Sequence, residues 1–181
     1  MTDRINKKTR ILLTGVPGTG KTTLAKLISK IGGFSKISIN AVARKSGSVK
    51  RGGEVNLRKL EGVLKAEIKR KGEKDIVLDG HLGCEIKLPL DTVFVLRCDP
   101  EKLKVRLRRR KYSKKKIEDN LLCEALDYCT VQAEKNFGRV VEIDTTHRSP
   151  ITAAKLILAI ARKRRKSTDR VNWKAWLEKM V

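Results

Sequence analysis

Between Gly15 and Thr22 the chain reads GVPGTGKT, which fits the spacing GxxxxGKT, and each residue type in it suits the holding of a row of phosphates. Gly15, Gly18 and Gly20 allow the main chain to curl with its N–H groups facing inward, and the helix that must follow adds positive potential at its first turn. Lys21 is expected to span β- and γ-phosphates, the Thr22 hydroxyl to ligate Mg²⁺, and Thr23 to reach the α-phosphate. The apolar run ILLT stands directly before the loop and an amphipathic stretch directly after it, the flanks this mechanism requires. The implied ligand is a purine nucleoside triphosphate, ATP, together with Mg²⁺.

A second constellation lies in DIVLDGHLGCE. Asp79 ends an apolar run, and the carboxyl ends of strands are where α/β folds bind ligands, so it is a candidate Mg²⁺ carboxylate acting through water. His81 projects from the same loop. Phosphoryl transfer asks for alignment and neutralised charge more than for covalent help, and an arginine closing over Lys21 and Mg²⁺ would complete that set.

The elements needed to position these groups are visible as short β-rich runs alternating with helical patterns, the signature of a parallel sheet with helices on both faces. The expected strands are Arg10 to Thr14, Lys36 to Ile39, Ile76 to Asp79, Thr92 to Arg97 and Val140 to Asp144, giving an α/β, P-loop NTPase fold with a five-stranded parallel sheet. Leu24, Leu27, Ile28 and Ile31, and then Leu57, Leu60, Leu64 and Ile68, repeat at helical spacing and predict two core-facing helices ending near Gly32-Gly33 and Gly72. Asp99-Pro100 and Ser149-Pro150 each set a capping side chain before a proline, and Ser113 caps a helix reaching to about Asn136. Near the C-terminus, Trp173, Trp176, Leu177 and Met180 form one apolar helical face, either docked on the domain or binding a partner.

The chain has 181 residues, 40% of them hydrophobic, consistent with one domain. No apolar stretch approaches the roughly 20 residues that cross a bilayer, so a cytoplasmic protein without membrane contact is expected. Cys84, Cys98, Cys123 and Cys129 form no CxxC pair and read as core thiols. A formal charge of +23, with 43 Lys and Arg against 20 Asp and Glu, points to a polyanionic partner such as RNA, with a lysine-rich heat-stable surface as the competing explanation. The basic residues concentrate from Lys102 to Lys116 and from Arg162 to Lys166, where only Tyr112 is aromatic, which suits backbone contact with folded RNA better than base stacking.

GVPGTGKTT, Asp79-Gly80-His81, VLRCDPEKLKVRLRRRKYS and the run IEDNLLCEA together resemble the adenylate kinase isoenzyme six family, also described as coilin-interacting nuclear ATPases, with archaeal relatives. The resemblance covers roughly residues 10 to 165 and implies a core, an NMP-binding segment at about 38 to 61 and a short lid at about 109 to 119; the residues beyond it predict a basic C-terminal helix at about 166 to 181. It implies Gly18, Gly20, Lys21, Thr22, Thr23 and Arg110 as ATP contacts and Arg44 as the holder of the AMP phosphate; Arg106, one helical turn before Arg110, is read from that spacing as its support. It further implies conversion of ATP and AMP to two ADP, a slower ATP hydrolysis, and a role in maturing the small ribosomal subunit with rRNA and a platform ribosomal protein, universal small-subunit protein eleven. The chain departs from the family pattern twice: its NMP segment is basic, RKSGSVKRGGEVN, and Arg110-Lys111-Tyr112 replaces the usual Arg-Gly-Tyr.

An AMP acceptor already carries an anionic oxygen and needs no base, whereas water must be oriented and deprotonated, so Asp79 and His81 matter more for hydrolysis. Three functions remain open on the residues alone: an NMP kinase with ATPase activity, a nucleotide-controlled RNA or ribosomal-protein binding switch, and a kinase for another small acceptor.

Overall fold

The computed structural model describes residues 8–163, 165, 169 and 171–179. Its strands are β1 (Arg10–Thr14), β2 (Ser35–Ser38), β3 (Ile76–Asp79), β4 (Thr92–Arg97) and β5 (Val141–Asp144), all parallel in the order β2-β3-β1-β4-β5. This is the expected five-stranded sheet. β1 is central, and its register sets Leu13 beside Asp79 on one side and Phe94 on the other, so the loops leaving β1 and β3 emerge together.

The helices are α1 (Lys21–Gly32), α2 (Ile39–Lys45), α3 (Leu57–Arg70), α4 (Pro100–Arg109), α5 (Lys114–Ala125), α6 (Tyr128–Phe137), α7 (Pro150–Ala161) and α8 (Lys174–Leu177), with a 3-10 turn at His81–Glu85. Side chains on β1 alternate between two cores. Ile11 and Leu13 meet Leu24, Ala25 and Ile28 of α1 and Ile157 of α7, while Leu12 belongs with Leu60, Leu64 and Ile68 of α3 and Leu103 and Leu107 of α4. Each of these aliphatic side chains, fully buried, contributes about 1.5 to 3 kcal/mol relative to exposure.

The two proline-led helices start where the caps place them: Asp99 accepts from Glu101 N and Lys102 N, and Ser149 from Thr152 N. Gly33 closes α1 in a left-handed conformation, its N–H donating to Ser29 O at 3.1 Å. Ile31, expected on the inner face of α1, is 43% exposed, and Ala25 holds the inner position instead. β2 is shifted one residue toward the N-terminus at both ends, because Ser35 already pairs with Ile76 and Ile39 belongs to α2, and β5 starts one residue later than expected, because Val140 precedes the ladder.

The single helix expected from Ser113 to Asn136 is two helices, α5 and α6, broken at Asp127 with φ 55°. The cause is Arg97, buried at the end of β4. Its Nε donates to Glu124 Oε1 at 2.8 Å, its Nη2 to the Glu124 carbonyl at 3.0 Å, and it also pairs with Asp127 and Glu142. Arg97 Nη2 takes the Glu124 carbonyl, the acceptor that a continuing helix would offer to the N–H of Tyr128, and aspartate tolerates the left-handed region better than most residues.

Of the expected C-terminal helix, α8 is the described helical part, and Met180 lies outside the described residues. The segment is docked: Trp173 Nε1 donates to Glu124 Oε1 at 3.1 Å, Trp176 Nε1 to Glu101 Oε1 at 2.9 Å, and the Trp176 ring packs against the α3/α4 core. Cys84, Cys98 and Cys129 are buried thiols and Cys123 is half-buried. Among the described residues no helix is long and apolar enough to cross a membrane.

Candidate functional site

The loop between β1 and α1 is held open by glycine at positions where no side chain fits. A Cβ on Gly15, whose φ is +126°, would stand 2.4 Å from the Leu96 carbonyl oxygen of β4, and one on Gly18 would stand 2.7 Å from Leu103 Cδ1. Packing therefore demands these glycines as firmly as phosphate access does.

Inside this loop Lys21 Nζ donates to the carbonyls of Gly15 at 2.7 Å and Val16 at 2.8 Å. Burial lowers its pKa to about 8, and the Arg110 guanidinium acts in the same direction. A lysine so placed bonds its own loop until an anion offers better acceptors. Thr22 Oγ1 donates to Asp79 Oδ2 at 2.8 Å across the gap from α1 to the end of β3. The other oxygen, Asp79 Oδ1, is buried and accepts no hydrogen bond. An orphan carboxylate oxygen beside a threonine hydroxyl is an unmet demand for positive charge, and hard oxygen donors of this kind suit hydrated Mg²⁺.

His81 opens the 3-10 turn two residues after Asp79, and its carbonyl accepts from Thr14 Oγ1 and Cys84 Sγ, each at 3.2 Å. Burial, then the charges of Lys21 and Lys116, push its pKa down to about 4. The imidazole is neutral at neutral pH and able to accept a proton from a nearby donor.

A cavity of about 390 Å³ leads outward from the phosphate loop. Gly18, Gly20 and Thr23 line it from the phosphate loop and α1, Arg109 and Arg110 from the end of α4, and Arg148 and Pro150 from the start of α7 and the loop before it. Arg110 is thus brought to the loop, as expected. Arg106 lines the same cavity, and its Nη2 donates to Thr145 O at 2.8 Å, tying α4 to the loop after β5. Thr145 Oγ1 in turn donates toward Arg97 O at 2.8 Å and Thr19 O at 3.1 Å, fastening that loop to the phosphate loop.

The connection expected to act as a lid runs through Arg110 to Ser113 between α4 and α5, and Lys111 adopts φ 57°, the conformation that the family's usual glycine would take without strain. Tyr112 lies under Lys116 Nζ at 4.3 Å from its ring centre. Arg44 is not brought to this cavity. It stands exposed on the last turn of α2, within the segment expected to bind NMP, which is formed by α2, a small antiparallel bridge between Val49 and Val55, and the start of α3.

Sequence reasoning missed Arg148, Thr145 and Asp169. The available signal was position: Thr145 and Arg148 follow the carboxyl end of the last strand, directly before the Ser149-Pro150 cap.

Residues 11–127 match the AAA domain family. A "Putative adenylate kinase" of Thermococcus onnurineus is 34% identical over 175 residues, covering 94% of both chains. Its namesake in Methanocaldococcus jannaschii is 35% identical over 170 residues, covering 91% of this chain and 92% of the other. The chain belongs to this adenylate kinase-like family. Among solved structures, shikimate kinase from Acinetobacter baumannii superposes with a TM-score of 0.65 at 19% identity, over 90% of this chain and 97% of that one. TT1252 from Thermus thermophilus gives 0.61 at 15% identity, over 88% and 99%. At such identities these two show the shared fold alone, and the family assignment rests on the archaeal relatives.

Proposed function

We propose that this protein is a nucleoside monophosphate kinase that transfers the γ-phosphate of ATP to AMP, giving two ADP, and hydrolyses ATP more slowly. The observation that carries the proposal is the pairing of Thr22 with Asp79, whose second oxygen is buried without a partner, beside Lys21 in a phosphate loop. Bound Mg²⁺ would neutralise charge on the β- and γ-phosphate oxygens. Lys21 exchanges its two carbonyl partners for phosphate oxygens and regains a full positive charge there. Arg110 closes from the α4 end, and Arg44, exposed on α2, is the holder proposed for the acceptor phosphate. Family membership supports the AMP acceptor, since relatives over nearly the whole chain carry the adenylate kinase name.

For hydrolysis, the neutral His81 imidazole and the Asp79 carboxylate offer proton acceptors to an attacking water, a role the AMP reaction does not need. The sequence motifs support assignment to the isoenzyme six type, and with it ATPase activity and a place in small-subunit maturation with rRNA and the platform ribosomal protein. The charge of +23 is the feature that favours a nucleic-acid-bound setting.

The test is to incubate the purified protein with ATP and Mg²⁺, with and without AMP, and to follow ADP and phosphate. ADP formed at a high rate only with AMP is expected, and Lys21→Ala should remove it. Phosphate release that rises with RNA or ribosomal protein while AMP has no effect would replace the kinase with a nucleotide-controlled binding switch.

A further inference from the structure

Asp169 lies beyond α7, and its carboxylate makes a two-pronged pair with Arg148. Nη1 donates to Oδ2 at 2.6 Å, and Nη2 to Oδ1 at 3.1 Å. The same Oδ2 accepts from Asp144 N at 2.9 Å, at the end of β5, and Arg148 Nη1 also donates to Asp144 O at 2.9 Å. Both side chains are sheltered, 25% exposed for Arg148 and 12% for Asp169. The Arg148 hydrogen bond holds the Asp169 carboxyl below the usual carboxylate range. The charge is therefore present at any pH near neutrality.

Arg148 also lines the cavity that the phosphate loop lines. A free arginine carries about 2 kcal/mol of rotamer entropy, and freezing it on each binding event weakens the ligand by part of that amount. Here three hydrogen bonds fix the guanidinium beforehand. A guanidinium plane held in place in a cavity that Pro150, Leu24 and Ala153 also line suits the face of an aromatic base.

We propose that Asp169 is a positioning residue for the nucleotide base: by clamping Arg148 it completes the base-binding wall of the ATP site from a segment outside the parallel-sheet core. This rests on the ATP reading above, and it adds a contribution from the tail that the phosphate loop and lid do not contain. Arg148 lines the cavity and Asp169 does not. The proposed influence on the nucleotide passes through Arg148, so it should act on the base end and leave the phosphate end untouched.

The experiment is equilibrium titration calorimetry with Mg²⁺ present, using ATP and inorganic tripolyphosphate as separate probes. Asp169→Ala should weaken ATP about tenfold, the order expected when a charge-assisted pair orienting a binding group is lost. Tripolyphosphate should bind both proteins equally. In an Arg148→Ala background, Asp169→Ala should have no further effect on ATP. Asp169→Asn, which keeps the size and one acceptor, supplies the same comparison if the alanine variant does not fold. Unchanged ATP affinity overturns the proposal. So does equal weakening of both probes, or an undiminished effect without Arg148, since either makes Asp169 a general support. Failure of the unaltered protein to bind ATP would instead defeat the ATP reading itself.

Discussion

Lys21 gives the site a measurable proton balance. Its pKa is lowered to about 8 in the free protein by burial, whereas a bound triphosphate would hold it protonated. The complex thus carries more protons than the free protein above pH 8. ATP affinity is expected to be flat below about pH 7.5 and to fall as pH rises past 8, with proton uptake visible as a dependence of binding heat on buffer ionisation enthalpy. Binding heats that do not depend on the buffer at pH 8.5 would count against this account. His81, with its pKa lowered to about 4, stays neutral across that range. Replacing it with alanine should depress phosphate release without AMP by about a hundredfold, the low end of what a general base supplies, and leave AMP phosphorylation nearly intact. Equal losses in both assays would reject the division of labour. The residues at the phosphate end were legible in the sequence because one spacing rule fixes them all. Arg148 and Asp169 were not, because their pairing depends on where the chain after α7 returns, and no local pattern encodes that.

Among the elements, α4, α5 and their connection hold the segment proposed to close over the site. Lys111 at φ 57° carries left-handed strain of about 1 kcal/mol that glycine would not. Lys111→Gly is expected to relieve it while adding unfolded-state entropy, leaving stability within about 1 kcal/mol of the original by urea unfolding, and to speed lid motion. A faster turnover with an unchanged urea midpoint is the expected pattern; a slower one would show that a stiff link helps the lid. Helix caps and apolar spacing predicted the starts of α3, α4, α5 and α7, since those signals are local. The break between α5 and α6 escaped because its cause, buried Arg97, comes from a strand distant in sequence. Where a tertiary partner competes with helical propensity, propensity yields.

At the scale of the whole molecule the excess of positive charge is concentrated rather than spread. Lys102, Arg108, Arg109, Lys111, Lys114 and Lys115 are all exposed on α4, α5 and the link between them, next to the mouth of the nucleotide cavity. If that surface engages an RNA backbone, the logarithm of affinity should fall against the logarithm of salt with a slope of about −3 or steeper, as for roughly four phosphates neutralised. A slope near zero in a filter-binding or anisotropy titration would remove RNA from the list of partners. The parallel sheet and the two-sided core could be anticipated from near-continuous apolar runs, while the strand order and the position of the tail could not. That tail has an optical consequence. The only two indoles of the chain, Trp173 and Trp176, sit within it, and each gives its N–H to a carboxylate on a helix flanking the lid, Glu124 of α5 and Glu101 of α4. The intrinsic fluorescence of the native protein is therefore a gauge of this one joint. An emission shift on adding nucleotide would report movement between the lid helices and the tail without any label being attached.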